Sequence, residues 1–282
     1  MNIHPSAVVS RKAKIGLNVT IGPLCVIEDD VVIGDDCTLA SHVVIKNGIT
    51  IGSGNRIFES AVLGGYPQHI NMPENPGTVT IGSGNTIREN VTIHRALNSD
   101  KKTVVGNNNL FMVNTHVAHD CVLGNNIIMT NNAMLGGHVV VEDRAFISGA
   151  VAVHQFCRVG SMAMVGGQAH IIQDVPPFVT VDGLSSLVVG LNTIGLRRSG
   201  YDANQIRILK EAYRVIYRSG LSWNEILDRL QVEFSDTPAA HFHKALSMTT
   251  RGIISERRLP PGATLKLHRE SGKTQKPQVR VG

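Results

Sequence analysis

Apolar residues recur at every sixth position over most of this chain. Between Ile3 and Ile171, 26 of the 29 positions in this frame are apolar, and the exceptions are His69, Asn75 and Ser99. A helical period near 3.6 cannot keep a six-residue frame over such a length, whereas a β-solenoid can. Three six-residue units then form one triangular coil, and each complete coil returns the chain to the same column, about 4.8 Å along the axis. The pattern predicts a parallel β-helix.

A second position, four residues after the frame residue, holds mostly small side chains that fit a crowded interior. All four cysteines stand there: Cys25, Cys37, Cys121 and Cys157. They show no CxxC spacing, which argues against a zinc knot or a redox pair. We therefore predict that they are buried structural thiols.

The frame lapses twice, and both lapses are predicted to be protruding loops. One covers residues 64–78, with Pro67, Pro73 and Pro76, and the other covers residues 97–102. Across each lapse the frame resumes after a whole number of six-residue units, from Leu63 to Ile81 and from Ile93 to Val105. Either the register is kept by chance, or a loop replaces one edge of a coil. Loops on a rigid scaffold often hold functional residues.

After Ile171 the pattern changes to helical spacing. Helices are expected from about Asp202, Ser222–Glu225 matches a capping box, and Thr237-Pro238 predicts the start of a further helix. We divide the chain into a β-helix over 1–180, a C-terminal α-helical domain over 181–256, and a basic, disordered tail over 257–282.

Composition and charge exclude several classes of function. Aromatic residues make up only 4% of the chain, which argues against a base-stacking nucleic-acid surface. The net charge of +5 comes from residues 257–282, where seven Lys or Arg stand against one Glu, so the rest of the chain is close to neutral. There is no apolar run that could span a bilayer and no signal-peptide pattern at the start, so we expect a cytoplasmic protein without an integral membrane segment.

Column arithmetic brings several of the twelve histidines together. The column that starts at His119 continues through Gly137 and Gln155, and His138 and His154 each lie within one residue of it on successive coils. A neutral imidazole can take a proton from a hydroxyl or an amine near physiological pH. Alternatively, the His116-x-x-His119 spacing could belong to a zinc site of three histidines and water.

A second column holds Asn131, Gly149 and Gly167, with one complete coil from each to the next. Stacked glycines leave a furrow along a solenoid, unless they serve only the corners of the coil. We expect Gly149 and Gly167 to contact a flat or linear substrate, which favours a substrate larger than that of a small metalloenzyme.

Several segments closely resemble the UDP-N-acetylglucosamine O-acyltransferase family, and the resemblance runs from Ile3 to about Ile254. The most specific are Asn114–Cys121, Gly136–His138, Ala152–Phe156 and Asp174–Pro177. The resemblance implies a mainly β protein, a left-handed parallel β-helix of hexapeptide repeats followed by a C-terminal α-helical domain. It also implies a homotrimer with sites between subunits, acyl carrier protein as the acyl donor, a UDP-amino sugar as the acceptor, and neither cofactor nor metal.

The resemblance also implies roles for single residues. His119 would be the general base, Asp120 would orient its imidazole, and the N–H group of Gly137 would stabilise the oxyanion. Gly167 lies where the family sets acyl-chain length. The remaining substrate-binding positions implied by the family are His116, His138, His154, Gln155, Asn192 and Arg198.

The sequence departs from the family in the first loop. Members often have an Asp and a Lys where this chain has His69 and Asn71, which we expect, with Gln68, to contact the acceptor sugar. The acceptor is therefore either the 3-hydroxyl of UDP-N-acetylglucosamine or a 3-amino analogue. Two further hypotheses are a zinc-dependent hydratase of the same fold and a non-enzymatic scaffold whose basic tail binds acidic partners.

Overall fold

A computed structural model describes residues 2–257, so the predicted tail beyond Arg257 lies outside the described residues. The strands in chain order are β1 (Asn2–Ile3), β2 (Val8–Val9), β3 (Lys14–Ile15), β4 (Thr20–Ile21), β5 (Val26–Ile27), β6 (Val31–Ile33), β7 (Thr38–Leu39), β8 (Val44–Ile45), β9 (Ile49–Ile51), β10 (Arg56–Ile57), β11 (Val62–Gly65), β12 (Thr78–Ile81), β13 (Thr86–Ile87), β14 (Thr92–His94), β15 (Lys102–Val105), β16 (Leu110–Phe111), β17 (His116–Val117), β18 (Val122–Leu123), β19 (Ile128–Met129), β20 (Met134–Leu135), β21 (Val140–Val141), β22 (Phe146–Ile147), β23 (Ala152–Val153), β24 (Arg158–Val159), β25 (Met164–Val165), β26 (His170–Ile171), β27 (Val179–Val181) and β28 (Val188–Leu191). The helices are α1 (Thr193–Arg198), α2 (Ala203–Arg218), α3 (Trp223–Phe234) and α4 (Ala240–Ser247).

Three parallel sheets form the faces of the solenoid. Sheet A contains β1 and every third strand to β25, followed by β27 and β28; sheet B runs in the same way from β2 to β26, and sheet C from β3 to β24. In a regular coil each residue pairs with its equivalent three six-residue units later, as Ile3 does with Ile21. The predicted parallel β-helix is confirmed. We name its edges the A–B, B–C and C–A corners after the sheets they join.

The frame residues and the small residues four positions later fill the interior. Ile27, Ile45 and Leu63 are at most 1% exposed, as expected for side chains that stack along the axis of a solenoid. All four cysteines are buried and unpaired. Burial raises the pKa of the Cys121 thiol to about 12. The predicted structural role of the cysteines is therefore confirmed.

Both predicted loops leave the solenoid at the B–C corner. Ile51 pairs with Ile81 instead of His69, its partner in an uninterrupted repeat, and Thr92 pairs with His116 instead of Leu110. The extra residues are inserted between β11 and β12, and between β14 and β15, and every sheet continues past them. The idea that a loop replaces an edge of a coil is therefore wrong. We call residues 66–77 the excursion and residues 95–101 the short loop.

The helical region follows an antiparallel pairing of β27 with β28. The predicted capping interaction is present, since Glu225 accepts the backbone N–H of Ser222 at 2.8 Å. The predicted helix start at Pro238 is wrong by two positions, because Thr237 instead caps the preceding turn through the carbonyl of Phe234. Helix α1 was not predicted.

The chain finally returns to the end of the solenoid. Ile253 pairs with Asp174, and Glu256 pairs with Val188. The buried Asp174 carboxylate accepts the hydroxyl of Thr249 at 2.5 Å, which ties the two regions together. Within residues 2–257 no helix combines the length and apolar character needed to cross a membrane.

Candidate active site

One corner of the solenoid brings together most of the predicted chemistry. The turn between β17 and β18 holds His119 and Asp120, the next turn along holds Gly137 and His138, and the following turn contains Gln155. These turns stack because each joins sheet B to sheet C. The excursion and the short loop leave the same corner on the two preceding coils.

His119 and Asp120 form a buried pair. Nδ1 of His119 lies 2.8 Å from Oδ2 of Asp120, and the two side chains are 8% and 9% exposed. The same carboxylate oxygen accepts the backbone N–H of Leu97 at 3.0 Å, and the N–H of Asp120 donates to the hydroxyl of Thr103 at 2.9 Å. Because Asp120 is held from two sides, it fixes the imidazole with Nδ1 as donor and Nε2 as proton acceptor.

Gly137 leaves room for the His119 ring. A Cβ placed on Gly137 would lie 2.5 Å from Cε1 and 2.7 Å from Nε2 of His119, far closer than real Cβ contacts. Only glycine at this position therefore leaves room for the ring. The N–H group of Gly137 makes no backbone hydrogen bond within residues 2–257, so it is free to bind an anion.

Other rings surround this pair. His138 meets His119 edge-on with 5.2 Å between ring centroids, and it stacks on Phe156 at 4.5 Å. His69, from the excursion, meets His119 edge-on at 5.8 Å. Partial burial is the main cause that lowers the pKa of His138, while Asp120 acts in the opposite direction. Phe156 was not predicted as a site residue, although it follows His138 by one complete coil and the column arithmetic could have placed it there.

A second polar set lies on strands β14 and β17 of sheet B, which lead into the short loop and into the His119 turn. His94 is 8% exposed and meets the ring of His116 edge-on at 4.8 Å. Nδ1 of His116 lies 2.7 Å from the hydroxyl of Thr92, whereas Nδ1 of His94 is buried without a partner. Burial lowers the pKa of both histidines, that of His94 to about 4. His94 was missed, because the inserted loop residues upset the column arithmetic.

Two family models match parts of this chain, and known proteins are similar to most of it. A sequence model described as bacterial transferase hexapeptide (six repeats) matches residues 12–47, and one described as UDP N-acetylglucosamine O-acyltransferase, domain 2, matches residues 174–254. An acyl-[acyl-carrier-protein]–UDP-N-acetylglucosamine O-acyltransferase from Halorhodospira halophila is 48% identical over 83% of this chain and 91% of its own length. The chain belongs to this acyltransferase family.

Solved structures of family members are also similar to this chain. A UDP-N-acetylglucosamine acyltransferase from Bacteroides fragilis is 40% identical, with a TM-score of 0.86 over 89% of this chain and 99% of its own. One from Francisella novicida is 38% identical, with a TM-score of 0.88 over 91% of this chain and 95% of its own.

Some residues predicted from the family lie at other corners. Gly149 and Gly167 lie at the A–B corner, because each follows a sheet A strand and precedes a sheet B strand. A Cβ on either would meet only ordinary contacts at 3.4 Å or more, so their column is open. One copy of this acyltransferase therefore does not bring the glycine column together with His119.

Asn192 and Arg198 lie at the third corner. Asn192 caps α1 by accepting the N–H of Gly195 at 3.0 Å, and its amide donates to the carbonyl of Met162 in a C–A turn at 2.9 Å. These two hydrogen bonds use both the side-chain oxygen and the side-chain nitrogen of Asn192. Arg198 is exposed on the same short helix.

The remaining predicted residues are exposed. Within residues 2–257 the side chain of His154 makes one hydrogen bond, from Nδ1 to the carbonyl of Gln155 at 3.1 Å, and its ring does not pack on that of His138. Gln68, His69 and Asn71 are exposed in the excursion, where the N–H of Asn71 donates to Nδ1 of His69 at 3.1 Å.

A metal site would need a different set of ligands from the predicted one. In the part of the chain that the structure describes, the group with compatible spacing is His119, Asp120 and His138, whose ligand atoms lie within 4.8 Å of one another. His116 is not in this group. The Asp120 oxygen already accepts two hydrogen bonds, so a metal ion would have to displace the pair that fixes His119. The geometry favours a base in this acyltransferase.

Proposed function

We propose that the chain transfers a 3-hydroxyacyl group from acyl carrier protein to the 3-hydroxyl of UDP-N-acetylglucosamine, which is the first step of lipid A synthesis. The observation that supports this most strongly is the buried His119–Asp120 pair beneath Gly137, in a chain of this acyltransferase family. Its Nε2 is the nitrogen left to accept a proton.

The transfer would proceed directly between the two substrates. Nε2 of His119 takes the proton of the sugar hydroxyl while the oxygen attacks the thioester carbonyl. The Asp120 carboxylate stabilises the imidazolium, and the N–H of Gly137 stabilises the oxyanion. When the C–S bond breaks, the imidazolium returns its proton to the departing thiolate of the carrier protein.

An acyl-enzyme intermediate finds no support at this site. The nearest thiol, that of Cys121, is fully buried, donates to the carbonyl of Gly136 at 3.2 Å, and has a pKa raised to about 12. A nucleophilic thiol needs exposure and a low pKa. The hydroxyl of the acceptor is therefore the attacking group.

A homotrimer would complete the site. His119, the glycine column and Asn192 with Arg198 lie at three different corners of one chain, so a substrate that contacts all three needs neighbouring copies. The outer surface of sheet A also has a stripe of half-buried apolar side chains that a partner can cover: Leu110, Ile128, Phe146 and Met164. In such a trimer His116, His138, His154 and Gln155 would bind substrate beside His119, with Arg198 near phosphate.

The decisive test is turnover with both substrates. Purified protein with acyl carrier protein and UDP-N-acetylglucosamine should release free carrier thiol, and His119→Ala should slow this by about 10²–10⁴-fold. His42→Ala is the matched control, since His42 is an exposed corner histidine with positive φ at the A–B corner. If both variants turn over at the wild-type rate, His119 is not the base.

The 3-amino analogue of the sugar is a second candidate acceptor. His69 favours this candidate, because its ring lies beside the ring of His119. A carboxylate at this position would instead keep the amine of the sugar in its protonated form, which cannot attack. A side-by-side assay of the two sugars decides between them, because a strong preference for the hydroxyl sugar excludes the amine. Zinc analysis in the same preparation tests the hydratase, which requires one metal ion per site.

A further inference from the structure

We propose that Arg95–Leu97 is a clamp that fixes the excursion and the catalytic carboxylate relative to each other, with Arg95 as a positioning residue for the acceptor sugar. This inference rests on the proposed function, because it concerns how the acceptor is held. The clamp residues open the short loop, between the excursion and the turn that holds Asp120.

The Arg95 guanidinium is buried and holds the returning limb of the excursion. The side chain is 8% exposed. Its Nε donates to the carbonyl of Gly77 at 2.6 Å and Nη2 to the carbonyl of Pro76 at 2.9 Å, while Nη1 donates to Oδ1 of Asn47 at 2.6 Å. One side chain thus joins the excursion to the preceding coil of the solenoid.

The same guanidinium contacts the outgoing limb of the excursion. It lies 5.6 Å from the centroid of the Tyr66 ring, within the range of a cation–π contact. The planar, forked guanidinium therefore contacts both ends of the excursion. A lysine ammonium has no such fork and cannot reach these partners together.

The backbone after Arg95 continues the clamp to the catalytic pair. The carbonyl of Ala96 accepts the N–H of Gly77 at 2.8 Å, and the N–H of Leu97 donates to Oδ2 of Asp120 at 3.0 Å. Three consecutive residues thus link the base of the excursion to the carboxylate that orients His119.

The tip of the excursion has little packing of its own. Ile70 is fully exposed and Met72 is 59% exposed, while His69 lies beside His119. A loop without a packed tip takes its position from its base. Arg95 therefore sets where His69 and Asn71 stand relative to the base, and so how well the acceptor sugar is bound.

Steady-state kinetics of Arg95→Lys and Arg95→Met test this inference. Both should raise KM for the acceptor sugar by about tenfold, because buried carbonyls lose charge-assisted partners and the loop shifts. KM for acyl carrier protein should stay within about twofold, since the clamp acts on the loop that is proposed to hold the acceptor sugar. Amide hydrogen exchange should rise in residues 66–77 and stay unchanged in the first coils.

The controls separate positioning from general stability. Arg88→Lys is the matched control, because Arg88 pairs with Glu89 and lies over the Phe58 ring at the A–B corner, so its KM values should match the wild type. In a double mutant with His69→Ala, the rise in acceptor KM should not exceed that of the larger single mutant, because Arg95 acts through the loop that holds His69.

Two results would overturn the clamp. One is an unchanged acceptor KM and unchanged exchange of residues 66–77 in both Arg95 variants. The other is an equal rise in both KM values together with a fall in melting temperature like that of a general folding defect. If the wild type turns over neither sugar, the proposed function fails, and the exchange measurement still decides whether Arg95 holds the excursion.

Discussion

The C–A and B–C corners both contain buried polar side chains, but they differ in how completely these are paired. At the C–A corner, Asn55, Asn85 and Asn109 are at most 2% exposed and stack as a ladder. Oδ1 of Asn55 accepts the N–H of Asn85 at 2.9 Å, and Oδ1 of Asn85 accepts the N–H of Asn109 at 2.9 Å. Each side-chain amide donates to a glycine carbonyl of the next coil.

At the B–C corner some of the polar groups have no hydrogen-bond partner. Asp120 binds Nδ1 of His119 and the N–H of Leu97, but within residues 2–257 no such partner takes Nε2 of His119 or the N–H of Gly137. The ladder satisfies its polar groups and can only stabilise the coil. The B–C corner fixes Nδ1 of His119 and leaves Nε2 and the N–H of Gly137 without a partner, as the proposed reaction requires.

Removing the charge of Asp120 should have the largest effect. In Asp120→Asn the amide oxygen can still accept from His119 and Leu97, so the geometry is kept while the stabilisation of the imidazolium is lost. We expect kcat to fall by about 10²–10³-fold, measured by release of carrier thiol. Asp36→Asn is the matched control, since Asp36 is an exposed aspartate in the same positive-φ corner position, and it should leave kcat unchanged. Wild-type kcat in Asp120→Asn would show that the carboxylate is not needed.

The six-residue frame predicts the parts of the fold and of the candidate site that follow from the repeat alone. Its columns place His119 over Gly137 and beside His138, because every regular turn of the solenoid repeats the same geometry. They fail where chain is inserted, so His94 and Arg95 were not predicted to lie beside the site. They also cannot show that Asn192, which lies beyond the repeats, caps a helix.

Breaking the ladder should cost stability rather than activity. Asn85→Ala leaves the Gly106 carbonyl and the N–H of Asn109 buried without partners, so we expect the free energy of unfolding to fall by about 2–4 kcal/mol. Denaturant unfolding measures this. Asn107→Ala removes a similar amide on the exposed side of the same corner and should cost less than about 1 kcal/mol. Equal losses in the two variants would mean that burial does not distinguish the ladder.

The smallest effect concerns His94, whose Nδ1 is the one fully buried imidazole nitrogen without a hydrogen-bond partner within residues 2–257. Burial, followed by the neighbouring His116 and His119, lowers its pKa from 6.5 to about 4. Because the unfolded chain binds a proton more readily than the folded chain, the stability contributed by neutral His94 is present above pH 6.5. It is lost as the pH falls from 6.5 towards 4.

His94→Gln should therefore flatten the pH dependence of stability. Between pH 7.5 and 5 the wild type should lose about 2 kcal/mol of unfolding free energy through this one group, and the variant should not. Denaturant midpoints at the two pH values measure the difference, with exposed His42→Gln as a control that keeps the wild-type slope. If the unfolding free energy of His94→Gln varies with pH as that of the wild type does, His94 is protonated in the folded protein without a loss of stability. Nδ1 of His94 would then gain a hydrogen-bond partner when it is protonated. The contrast between the fully paired ladder and the partly paired B–C corner would in that case be limited to the His119–Asp120 pair.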